Sequence, residues 1–503
     1  MGFSVNNFSS KVARYFSLVP FLVGISLSIS QFIMIRDFVS ILYGEEVVIV
    51  LVTSSFFLGL SIGYFLSLKL DERAFKILFA VSALFHLTFP FSYRYAAVWI
   101  SAQDLGGAFY MAFLWIYSLI FSSIFAAFLP RLISLGDDSM SPVEKLRLNY
   151  SSELLGFVTG FAFVGMSMNK PVVFLLPIYW LFLGWLLHLV LRNLILTGAY
   201  FLLMMPLIMN LSRIDIHTAS LVYSEKHGKK NAKVLYSVNS PYQKVEVVES
   251  SKGELYLYLD GLMNLNSSDL EDLNYFIASV PVQLTKPANT LVIGNGTLSS
   301  ISKVYPYSGN VVSVELDSGV IAAGLEYFTD PASLAKLDRW KLIVDDGKHF
   351  LKTTETRFDL IIMDIPSPLT IQEAALHTSE FYQLAHDRLT DDGVISVQLS
   401  GPLKKNNRTP SRVVASLAEV FKEVMVVDSP KADRSFAYAS DDLPFSRSQV
   451  RKLSIANDPN LKIISPDQTR SFLTKAIPLT LDTMDLVLKR GLERFMDRYF
   501  YED

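Results

Sequence analysis

The segment LVIGNGTLSS, residues 291–300, begins as a run of aliphatic residues and continues into a Gly-x-Gly turn. A short run of this kind is typical of a strand that is buried on both faces of a sheet. Gly294 and Gly296 would let the backbone come close to a ligand, and a helix that starts after the turn favours electron-rich groups. Because Leu298 and Ser299 stand where a third glycine could be, the segment alone fits a ligand-binding loop and a plain turn equally well.

Three later aliphatic runs end in acidic residues; they are VVSVELD (311–317), LIVDDGKHF (342–350) and LIIMDIPSP (360–368). Glu315 lies about 20 residues beyond the glycine turn, where a carboxylate can hold the hydroxyl groups of a ribose. Asp346, followed by Gly347, can accept a hydrogen bond from an exocyclic amine such as that of adenine. Asp364 precedes a Pro-Ser-Pro segment, which fixes the chain into a turn. Each carboxylate could instead be a helix cap or a surface charge, but together they predict a pocket for a nucleoside-type ligand.

These runs belong to a longer alternation of strand, turn and helix, which predicts a doubly wound, Rossmann-like α/β domain with a parallel sheet. The predicted strands are Leu291–Ile293, Val311–Glu315, Lys341–Val344, Leu360–Met363, Val394–Gln398, Glu423–Val427 and Phe436–Ala439. Before them, Val245–Glu249 and Leu255–Leu259 are followed by the turn signal Asp260-Gly261. This pattern predicts a small N-terminal β-hairpin unit.

The first 211 residues are a series of apolar segments, each close to the roughly 20 residues that cross a bilayer. We place the segments at 18–35, 47–68, 75–92, 108–130, 150–168, 172–191 and 194–211. Pro90 and Arg94 interrupt the third segment. Small residues recur at the spacing of close helix–helix contacts, at Gly59 and Gly63 and at Gly156 and Gly160. The sequence therefore predicts a membrane α-helical bundle of about seven spans, and the first apolar segment is expected to be a retained anchor.

Ionisable residues inside the apolar segments suggest function, because a charge at membrane depth is costly. Glu153 is the clearest case, although a helix N-terminus would also favour its carboxylate. A structural role, with Arg36 or Arg131 as its partner, is the simpler interpretation. His86 and His188 are expected to be core or interfacial residues, since no pair of histidines has the spacing of metal ligands. We therefore predict no metal site.

Composition limits the classes of function. A hydrophobic share of 51% with only 18% charged residues suits a protein that is part membrane and part globular. The net charge of -3 gives no electrostatic case for nucleic-acid binding. The chain has no cysteine, which excludes disulfides, thiolate metal sites and cysteine nucleophiles.

Over about residues 235–445 the sequence resembles the spermidine synthase family, the aminopropyltransferases, whose fold is like that of class I methyltransferases. The segments that carry the resemblance are SPYQKVEV (240–247), LYLDG (257–261), LHTSEFYQLAHDRLTDDGVISVQ (376–398) and FAYAS (436–440). The segments QFIMIRDFVSILYGEE (31–46) and YSSELLGFVTG (150–160) are similar to motifs of the integral-membrane members. The resemblance implies that Gln243 contacts the ligand.

The chain departs from that family where the amine substrate is held. The family has an aspartate in the glycine-rich loop and a D-x-x-D pair after the fourth strand, which bind amines and take up a proton. Here Thr297 replaces the loop aspartate, and Ser367 replaces the second aspartate of the pair, whose first member is Asp364. Leu273-Asn274-Tyr275 stands in place of the tyrosine–histidine–glutamate run, and Asn264 in place of a glutamine. The resemblance leaves Asp364 as the catalytic residue and a nucleoside site at Gln243, Gly294, Gly296, Glu315, Asp346 and Gly347.

Two functions from different classes fit these features. The first is a membrane-anchored transferase or related enzyme that takes an S-adenosylmethionine-type nucleoside as substrate and acts on a non-standard acceptor, with no tightly bound cofactor. The nucleoside would be decarboxylated S-adenosylmethionine, S-adenosylmethionine or methylthioadenosine. The second is a non-catalytic pseudoenzyme that serves as a membrane scaffold or partner subunit. Transport through the helices would rest only on Glu153 and Arg36.

The same features set the expected surroundings of the protein. We expect a multi-pass protein of the bacterial inner membrane, with the bilayer, a nucleoside-type small molecule and a protein partner or second copy as partners, and no nucleic acid. Lysine and arginine predominate in the loops that place the N-terminus inside, so seven spans would put the soluble domain outside, away from cytosolic sulfonium nucleosides. The predicted domains are a helical domain at 1–211, a linker and hairpin unit at 212–285, the nucleoside-binding domain at 286–445 and a helical tail at 446–503.

Overall fold

The chain folds into two compact units, each described here by itself. The computed structural model describes residues 5–42, 45–67, 69–103, 107–135, 140–225, 228–365, 368 and 371–483. The first unit comprises Met1–Gly253, Leu259–Leu262 and Phe495–Asp503, and the second comprises Glu254–Tyr258 and Met263–Arg494.

Helices make up most of the first unit. They are α1 (Val5–Leu42), α2 (Glu45–Ser67), α3 (Glu72–Thr88), α4 (Phe91–Ser101), α5 (Gly107–Ala126), α6 (Phe128–Leu135), α7 (Pro142–Met166), α8 (Leu175–Leu191), α9 (Leu194–Met209) and α10 (Leu211–Glu225). Polar residues fix several starts, because a side-chain oxygen can satisfy the free N–H groups of a first turn. Ser141 and Glu144 form a capping box before α7, and Asn193 caps α9.

Several helices of the first unit are long and apolar enough to cross a membrane. Within the described residues these are Leu18–Leu42, Val48–Ser67 and Ala108–Ile133, or up to five spans if two bent helix pairs each count as one. The pair α3–α4 bends by 73° and the pair α9–α10 by 67°. The first bend falls at Pro90, where the sequence predicted an interruption. The predicted count of seven spans is not confirmed.

The predicted close contacts between helices are confirmed at all four glycines. A Cβ atom at Gly59 or Gly63 would overlap Ser122 or Ser123 of α5. Gly156 lies against the backbone of α1 in the same way, and Gly160 lies against Ser28 of α1. His86 is also a core residue as predicted, since it is buried, stacks on Phe121 and hydrogen-bonds with Tyr179. The expected pairing of Glu153 with Arg36 or Arg131 is not found among the described contacts. Arg36 pairs with Asp260 instead, and Arg131 donates to the carbonyl oxygens of Ser67 and Leu70.

Short strands follow the helices: β1 (Lys233–Asn239), β2 (Lys244–Glu249), β3 (Leu255–Leu259) and β4 (Leu262–Asn266). Strand β1 pairs antiparallel with β2, with Val238 opposite Val245. Asp260 and Gly261, between β3 and β4, both have positive φ, at 48° and 74°. A two-residue hairpin turn requires this conformation, so the predicted hairpin strands and their turn are confirmed.

The second unit alternates strands with helices. Its strands are β5 (Asn289–Gly294), β6 (Asn310–Glu315), β7 (Trp340–Val344), β8 (Phe358–Asp364), β9 (Leu389–Leu399), β10 (Glu423–Ser429), β11 (Arg434–Ser440) and β12 (Lys462–Ile464). Its helices are α11 (Leu270–Asn274), α12 (Val280–Thr285), α13 (Ile301–Val304), α14 (Ser318–Tyr327), α15 (Pro331–Leu334), α16 (Gly347–Thr353), α17 (Ile371–Ala375), α18 (Ser379–His386), α19 (Thr409–Val420), α20 (Arg447–Ser454) and α21 (Pro466–Phe472).

These strands form one sheet in the order β12-β10-β11-β9-β8-β5-β6-β7. The five strands from β9 to β7 are parallel, as predicted, and their aliphatic residues, such as Leu291, Ile361 and Ile395, are fully buried. The sheet is not parallel throughout, because β11, β10 and β12 pair antiparallel. Strand β12 lies in the segment for which the sequence predicted a helical tail, and its three residues are too short a run to have been recognised. The amphipathic helix predicted near the chain end falls in residues 484–503, outside the described residues.

Candidate active site

The candidate site lies where the order of the parallel strands reverses. From β5 the chain proceeds through β6 and β7 on one side, and then returns to place β8 on the other side of β5. Ligands of open α/β sheets bind at the carboxyl ends of the strands that flank such a switch point. Gly294, the last residue of β5, pairs in register with Asp364, the last residue of β8. The first glycine of LVIGNGTLSS and the acid of MDIPSP are therefore neighbours.

Only glycine suits position 294. Its φ is +81°, and a Cβ atom there would lie 2.6 Å from the carbonyl oxygen of Asp364. The second glycine, Gly296, lies close to Val320 of α14, and a Cβ atom there would be 3.3 Å from the carboxyl carbon of Glu315. The two glycines thus keep the backbone of the loop against the acids at the ends of β8 and β6.

Asn295, between the two glycines, is the site residue that the sequence analysis missed. Its side-chain amide donates to the Oδ2 atom of Asp364 and to the hydroxyl oxygen of Ser300, each over 2.6 Å. Its φ of +60° is a conformation that asparagine tolerates better than most residues. A Gly-Asn-Gly run directly after a buried strand was the available signal.

Asp364 is half-buried in a polar setting. Burial raises the pKa of its carboxyl group, and the amide of Asn295 and the charge of Arg434 lower it only in part. Arg434, at the start of β11, donates to the side chain of Gln398 over 2.9 Å and to the carbonyl oxygen of Asn264 over 3.2 Å. A carboxyl group with a raised pKa is a better proton acceptor than an ordinary aspartate.

Glu315 is the second half-buried acid of the site. Burial raises its pKa to about 7, and the nearby carboxylates of Asp317 and Asp364 act in the same direction. The backbone N–H of Asp317 donates to its Oε1 atom over 3.0 Å and opposes the shift. Two interacting acids with raised pKa values at the edge of a sheet are a common sign of a functional site.

Asp346 and Gly347 lie at the end of β7, as predicted, but Asp346 has a structural task there. Its Oδ1 atom accepts hydrogen bonds from the backbone N–H groups of Lys348 and His349, so it caps α16. Asp345 pairs with the His349 ring over 2.8 Å, which lowers the pKa of this aspartate. The predicted contact of Asp346 with an exocyclic amine stays a prediction.

A chain of neutral polar groups occupies the loop where the family resemblance expects an acid. Asn274 of α11 donates to the hydroxyl oxygen of Ser299 over 3.0 Å, and this hydroxyl group lies 3.0 Å from that of Thr297. The Oδ1 atoms of Asn274 and Asn295 are buried and have no hydrogen-bond partner within the described part of the chain. Buried carbonyl oxygens of this kind are normally paired, with water or a ligand where no protein donor is present.

The structure thus brings Gly294, Gly296, Glu315 and Asp364 together in the second unit. Gln243 belongs to the first unit, where Ser240 and Gln243 close the turn before β2, and its contact with a ligand stays a prediction. Ser367 lies outside the described residues. Within the described ranges no group of three histidine, aspartate or glutamate side chains could hold a metal ion.

Comparisons with known proteins point to one family. Residues 274–430 match the family model described as the spermine/spermidine synthase domain. Among curated proteins, a polyamine aminopropyltransferase of Thermoplasma volcanium is 29% identical over 216 residues, which are 41% of this chain and 78% of that protein. The polyamine aminopropyltransferases of Clostridium botulinum and Alkaliphilus oremlandii are 31% and 32% identical; the match covers 36% and 39% of this chain and 67% and 68% of theirs.

Solved structures that resemble the chain carry the same description. The spermidine synthase of Thermotoga maritima is 24% identical, with a TM-score of 0.39, and the match covers 52% of this chain and 88% of that one. A probable spermidine synthase of Corynebacterium glutamicum is 20% identical, with a TM-score of 0.39, and the match covers 50% of this chain and 98% of that one.

Proposed function

Because the chain belongs to the spermine/spermidine synthase family, we propose that it is a transferase of an S-adenosylmethionine-type nucleoside with a non-standard acceptor. The observation that carries this proposal is the pairing of Gly294 with Asp364 at the switch point of the sheet, next to the half-buried Glu315. This arrangement keeps the parts of the family's site that would receive a nucleoside.

Each part of the proposed nucleoside site has a chemical task. The backbone at Gly294 and Gly296 leaves space for the ligand, and Glu315 accepts hydrogen bonds from the ribose hydroxyl groups. Gln243, Asp346 and Gly347 complete the site by resemblance to the family. The nucleoside is a substrate that leaves after reaction, not a resident cofactor.

The proposed reaction needs little covalent help from the protein. A sulfonium centre is already a good leaving group, so the protein must orient the acceptor and keep its nucleophilic atom free of a proton. Asp364 takes up that proton, since burial raises its pKa. The bond from the sulfonium sulfur to the transferred carbon breaks as the bond from the acceptor forms, and neutral methylthioadenosine leaves if the donor is decarboxylated S-adenosylmethionine.

A non-standard acceptor is the part of the proposal that rests on the departures from the family. Thr297 is hydrogen-bonded with Ser299, which in turn accepts from Asn274. These groups offer hydroxyls and an amide where an aspartate would hold a cationic amine. Ser367 removes the second acid after β8. A dicationic or tricationic polyamine would therefore meet fewer opposite charges than in the family's ordinary site.

We propose that the first unit is a multi-pass anchor of about seven spans in the bacterial inner membrane; its three to five apolar helices of sufficient length support a membrane anchor, and the count of seven is part of the proposal. Large apolar side chains such as Phe57, Phe65, Ile195 and Leu202 are exposed on α2 and α9. Water-exposed patches of this kind are rare on soluble proteins, whereas lipid covers them without cost. The domain boundaries after residues 211, 285 and 445 belong to the same proposal.

A non-catalytic scaffold or partner subunit is the second candidate. The specific observation in its favour is the loss of the family's acids at Thr297 and Ser367, together with a lysine and arginine pattern that would put the soluble domain outside if the chain has seven spans. A scaffold predicts a protein partner that purifies with the chain, and a cellular phenotype that is unchanged by Asp364→Asn.

Calorimetry with methylthioadenosine and with decarboxylated S-adenosylmethionine, on the full chain in detergent, tests the main proposal. We expect binding by the wild type, and a loss of at least about tenfold in affinity for Glu315→Gln, which removes a charged acceptor. Glu326→Gln, on the exposed face of the adjacent α14, is the matched control and should bind normally. A wild-type protein that gives no heat of binding with both nucleosides would contradict the proposal.

Release of methylthioadenosine from the decarboxylated donor then separates the two candidates. Asp364→Asn keeps the shape of the side chain and can still accept from Asn295. We expect it to bind the nucleoside while turnover with a panel of amine and hydroxyl acceptors falls by at least about 100-fold, as expected for loss of a general base. A wild type that binds but never turns over would favour the scaffold.

A further inference from the structure

Five charged side chains form a buried network inside the first unit, and the proposed reaction does not use them. The members, all less than a tenth exposed, are Asp37, Arg94, Asp215, Lys244 and Glu246. Arg94 joins two acids, with nitrogen–oxygen distances of 2.9 Å to Asp37 and 2.7 Å to Asp215. Lys244 continues the network, with distances of 3.2 Å to Asp37 and 3.1 Å to Glu246.

The buried charge network connects helices to a strand that lies far away in the sequence. Asp37 belongs to α1, Arg94 to α4 and Asp215 to α10. Lys244 and Glu246 lie two positions apart on β2, so their side chains are on the same face of the strand. Within the described network, Lys244 makes the only ion pair between a helix and β2, because it contacts Asp37 of α1 and Glu246 of its own strand. Its removal would leave the helix charges and the β2 charge without an ion pair between them.

Hydroxyl groups donate to both carboxylate oxygens of Glu246, in addition to its pair with Lys244. Tyr223 of α10 donates to its Oε2 atom over 2.6 Å, and Ser40 of α1 donates to the same atom over 2.9 Å. Ser237 of β1 donates to Oε1 over 3.2 Å. The strand is therefore bonded to α1 and α10 by polar groups that are out of reach of water.

The turn after β3 is attached to the same helix. Asp260 pairs with Arg36 of α1 over 3.5 Å, and it accepts from the backbone N–H of Lys244 over 2.8 Å. Its own N–H donates to the carbonyl oxygen of Lys244 over 2.9 Å. A Cβ atom at Gly261 would lie 2.7 Å from the Cα atom of Ser40, so the turn rests directly on the α1 backbone.

The charges of the network do not cancel. Three carboxylates face two cations, so the fully ionised network has a net charge of about -1 in a setting where unpaired charge is costly. Burial acts to lower the pKa of Lys244, but Glu246 and Asp37 raise it overall, so this lysine stays charged. Loss of a cation would increase the imbalance, and loss of an acid would remove it.

We propose that Lys244 is a positioning residue through which the helices hold β2, and with it the preceding Gln243, in place. The helices are then a structural base for the strand that carries an expected ligand contact, in addition to their role as an anchor. The assignment of Gln243 to a nucleoside rests on the proposed function, but the attachment of β2 to the helices does not.

Hydrogen exchange of the full chain in lipid nanodiscs, followed by mass spectrometry over Lys244–Glu249, tests the attachment without any ligand. In Lys244→Met we expect at least about tenfold faster exchange of the β2 amides, because three carboxylates are left with one cation. Glu246→Gln should exchange within about threefold of the wild type, because the network becomes neutral and its hydroxyl partners can reorient toward an amide. Lys233→Met, at an exposed position on β1, is the matched control and should change nothing.

A double variant keeps the test decisive if Lys244→Met alone does not fold. Lys244→Met with Glu246→Gln restores the wild-type charge of about -1, so we expect it to recover much of the lost protection. Equal exchange in Lys244→Met and in the Lys233→Met control would overturn the proposal. The proposal would also be overturned if the β2 amides of the double variant exchanged as fast as those of Lys244→Met. The same holds if Glu246→Gln increased their exchange as much as Lys244→Met does.

The nucleoside affinity supplies the readout that distinguishes positioning from general stability. At a temperature where all variants stay folded, we expect Lys244→Met to bind methylthioadenosine at least about tenfold more weakly, and the double variant to recover part of this loss. Normal affinity in a Lys244→Met protein with fast β2 exchange would overturn the positioning of Gln243. Failure of the wild type to bind would contradict the proposed function alone, because the exchange results do not depend on a ligand.

Discussion

Asn295 donates its side-chain amide to the Oδ2 atom of Asp364 over 2.6 Å, while its backbone N–H points to the carbonyl oxygen of the same residue over 3.4 Å. One residue of the glycine-rich loop is thus bonded to both ends of the acid that terminates β8. The loop and the acid form a single unit, in which the position of the carboxylate depends on the conformation of residue 295.

Asn295→Ala should destabilise the second unit. The change leaves the half-buried carboxylate of Asp364 without its donor, which costs about 1–3 kcal/mol, and it places a Cβ-bearing residue with no local hydrogen bond at φ +60°, which costs about 1 kcal/mol more. Asn295→Gly removes the donor but tolerates the φ angle, so it should be the milder variant. Scanning calorimetry of the full chain measures both unfolding temperatures.

The control for this experiment is Asn310→Ala, which removes an exposed amide that bonds to Asn289. We expect it to leave the unfolding temperature nearly unchanged, since surface substitutions are usually within about 0.5 kcal/mol. An Asn295→Ala protein as stable as Asn310→Ala would show that the bond to Asp364 contributes nothing.

Gly294→Ala should be far more damaging than the same change at another glycine with positive φ. At position 294 the added methyl group would lie 2.6 Å from the Asp364 carbonyl oxygen, so β5 and β8 must move apart. Gly253 has a similar φ of +78° and nothing within 4 Å of the new atom. Its substitution should cost only the backbone strain, about 1 kcal/mol.

The yield of folded protein and its unfolding temperature measure this difference. We expect Gly253→Ala to remain folded and Gly294→Ala to be lost or strongly destabilised, with nucleoside binding abolished in any protein that folds. Equal stabilities would mean that the close approach of the two strand ends is not required.

Much of this arrangement could be predicted from the sequence. The aliphatic runs identified the strands from β5 to β11, because a strand buried on both faces needs an uninterrupted apolar sequence. The order of these strands in the sequence predicts that Gly294, Glu315 and Asp364 lie at one edge of a sheet. The parallel part of the fold follows from these local patterns.

Other features depend on contacts that no local pattern encodes. Strand β10 pairs antiparallel with β11 and with the edge strand β12. This pairing depends on which strands lie next to each other in the folded sheet, not on the composition of the strands. Asn295 was missed because an asparagine between two glycines is typical of any turn, and only the register of β5 with β8 brings it to Asp364. The helix cap at Asp346 shows the reverse case, in which a residue expected to contact a ligand also has a structural task.

Glu315 should make nucleoside binding depend on pH. Burial raises its pKa from an ordinary value of 4.5 to about 7, so it is largely protonated at pH 6 and largely ionised at pH 8. Ribose hydroxyl groups donate to the ionised form, so the affinity should increase by up to about tenfold per pH unit below 7 and then become constant. Calorimetry with methylthioadenosine at pH 6, 7 and 8, values chosen about one unit apart around that pKa, measures the change.

The stability of the protein should respond in the opposite direction. Between pH 4.5 and about 7 the folded chain holds a proton on Glu315 that the unfolded chain has released, so this residue's contribution to stability falls as the pH rises through that range. Glu315→Gln should remove both effects and bind weakly at every pH. A wild-type affinity that is independent of pH would contradict the role of Glu315 at the ribose.

The side of the membrane on which the C-terminus lies tests the proposed function most directly. Sulfonium nucleosides are cytosolic, so the proposal requires a cytosolic soluble domain and an even number of spans if the N-terminus is inside. The lysine and arginine pattern predicts an inside N-terminus, whereas seven spans would place the domain outside. The number of spans depends on the bent pairs α3–α4 and α9–α10, because each pair either crosses the membrane once or turns back to the side from which it entered.

Two C-terminal fusions measure the outcome, one to a reporter that fluoresces only in the cytosol and one to an enzyme that is active only outside. We expect fluorescence and no external activity. The matched fusions after Ser101, at the end of α4, and after Met209, at the end of α9, show which bent pair sets the parity. An external C-terminus would separate the acids at the ends of β6 and β8 from their nucleoside and would leave the scaffold as the function to pursue.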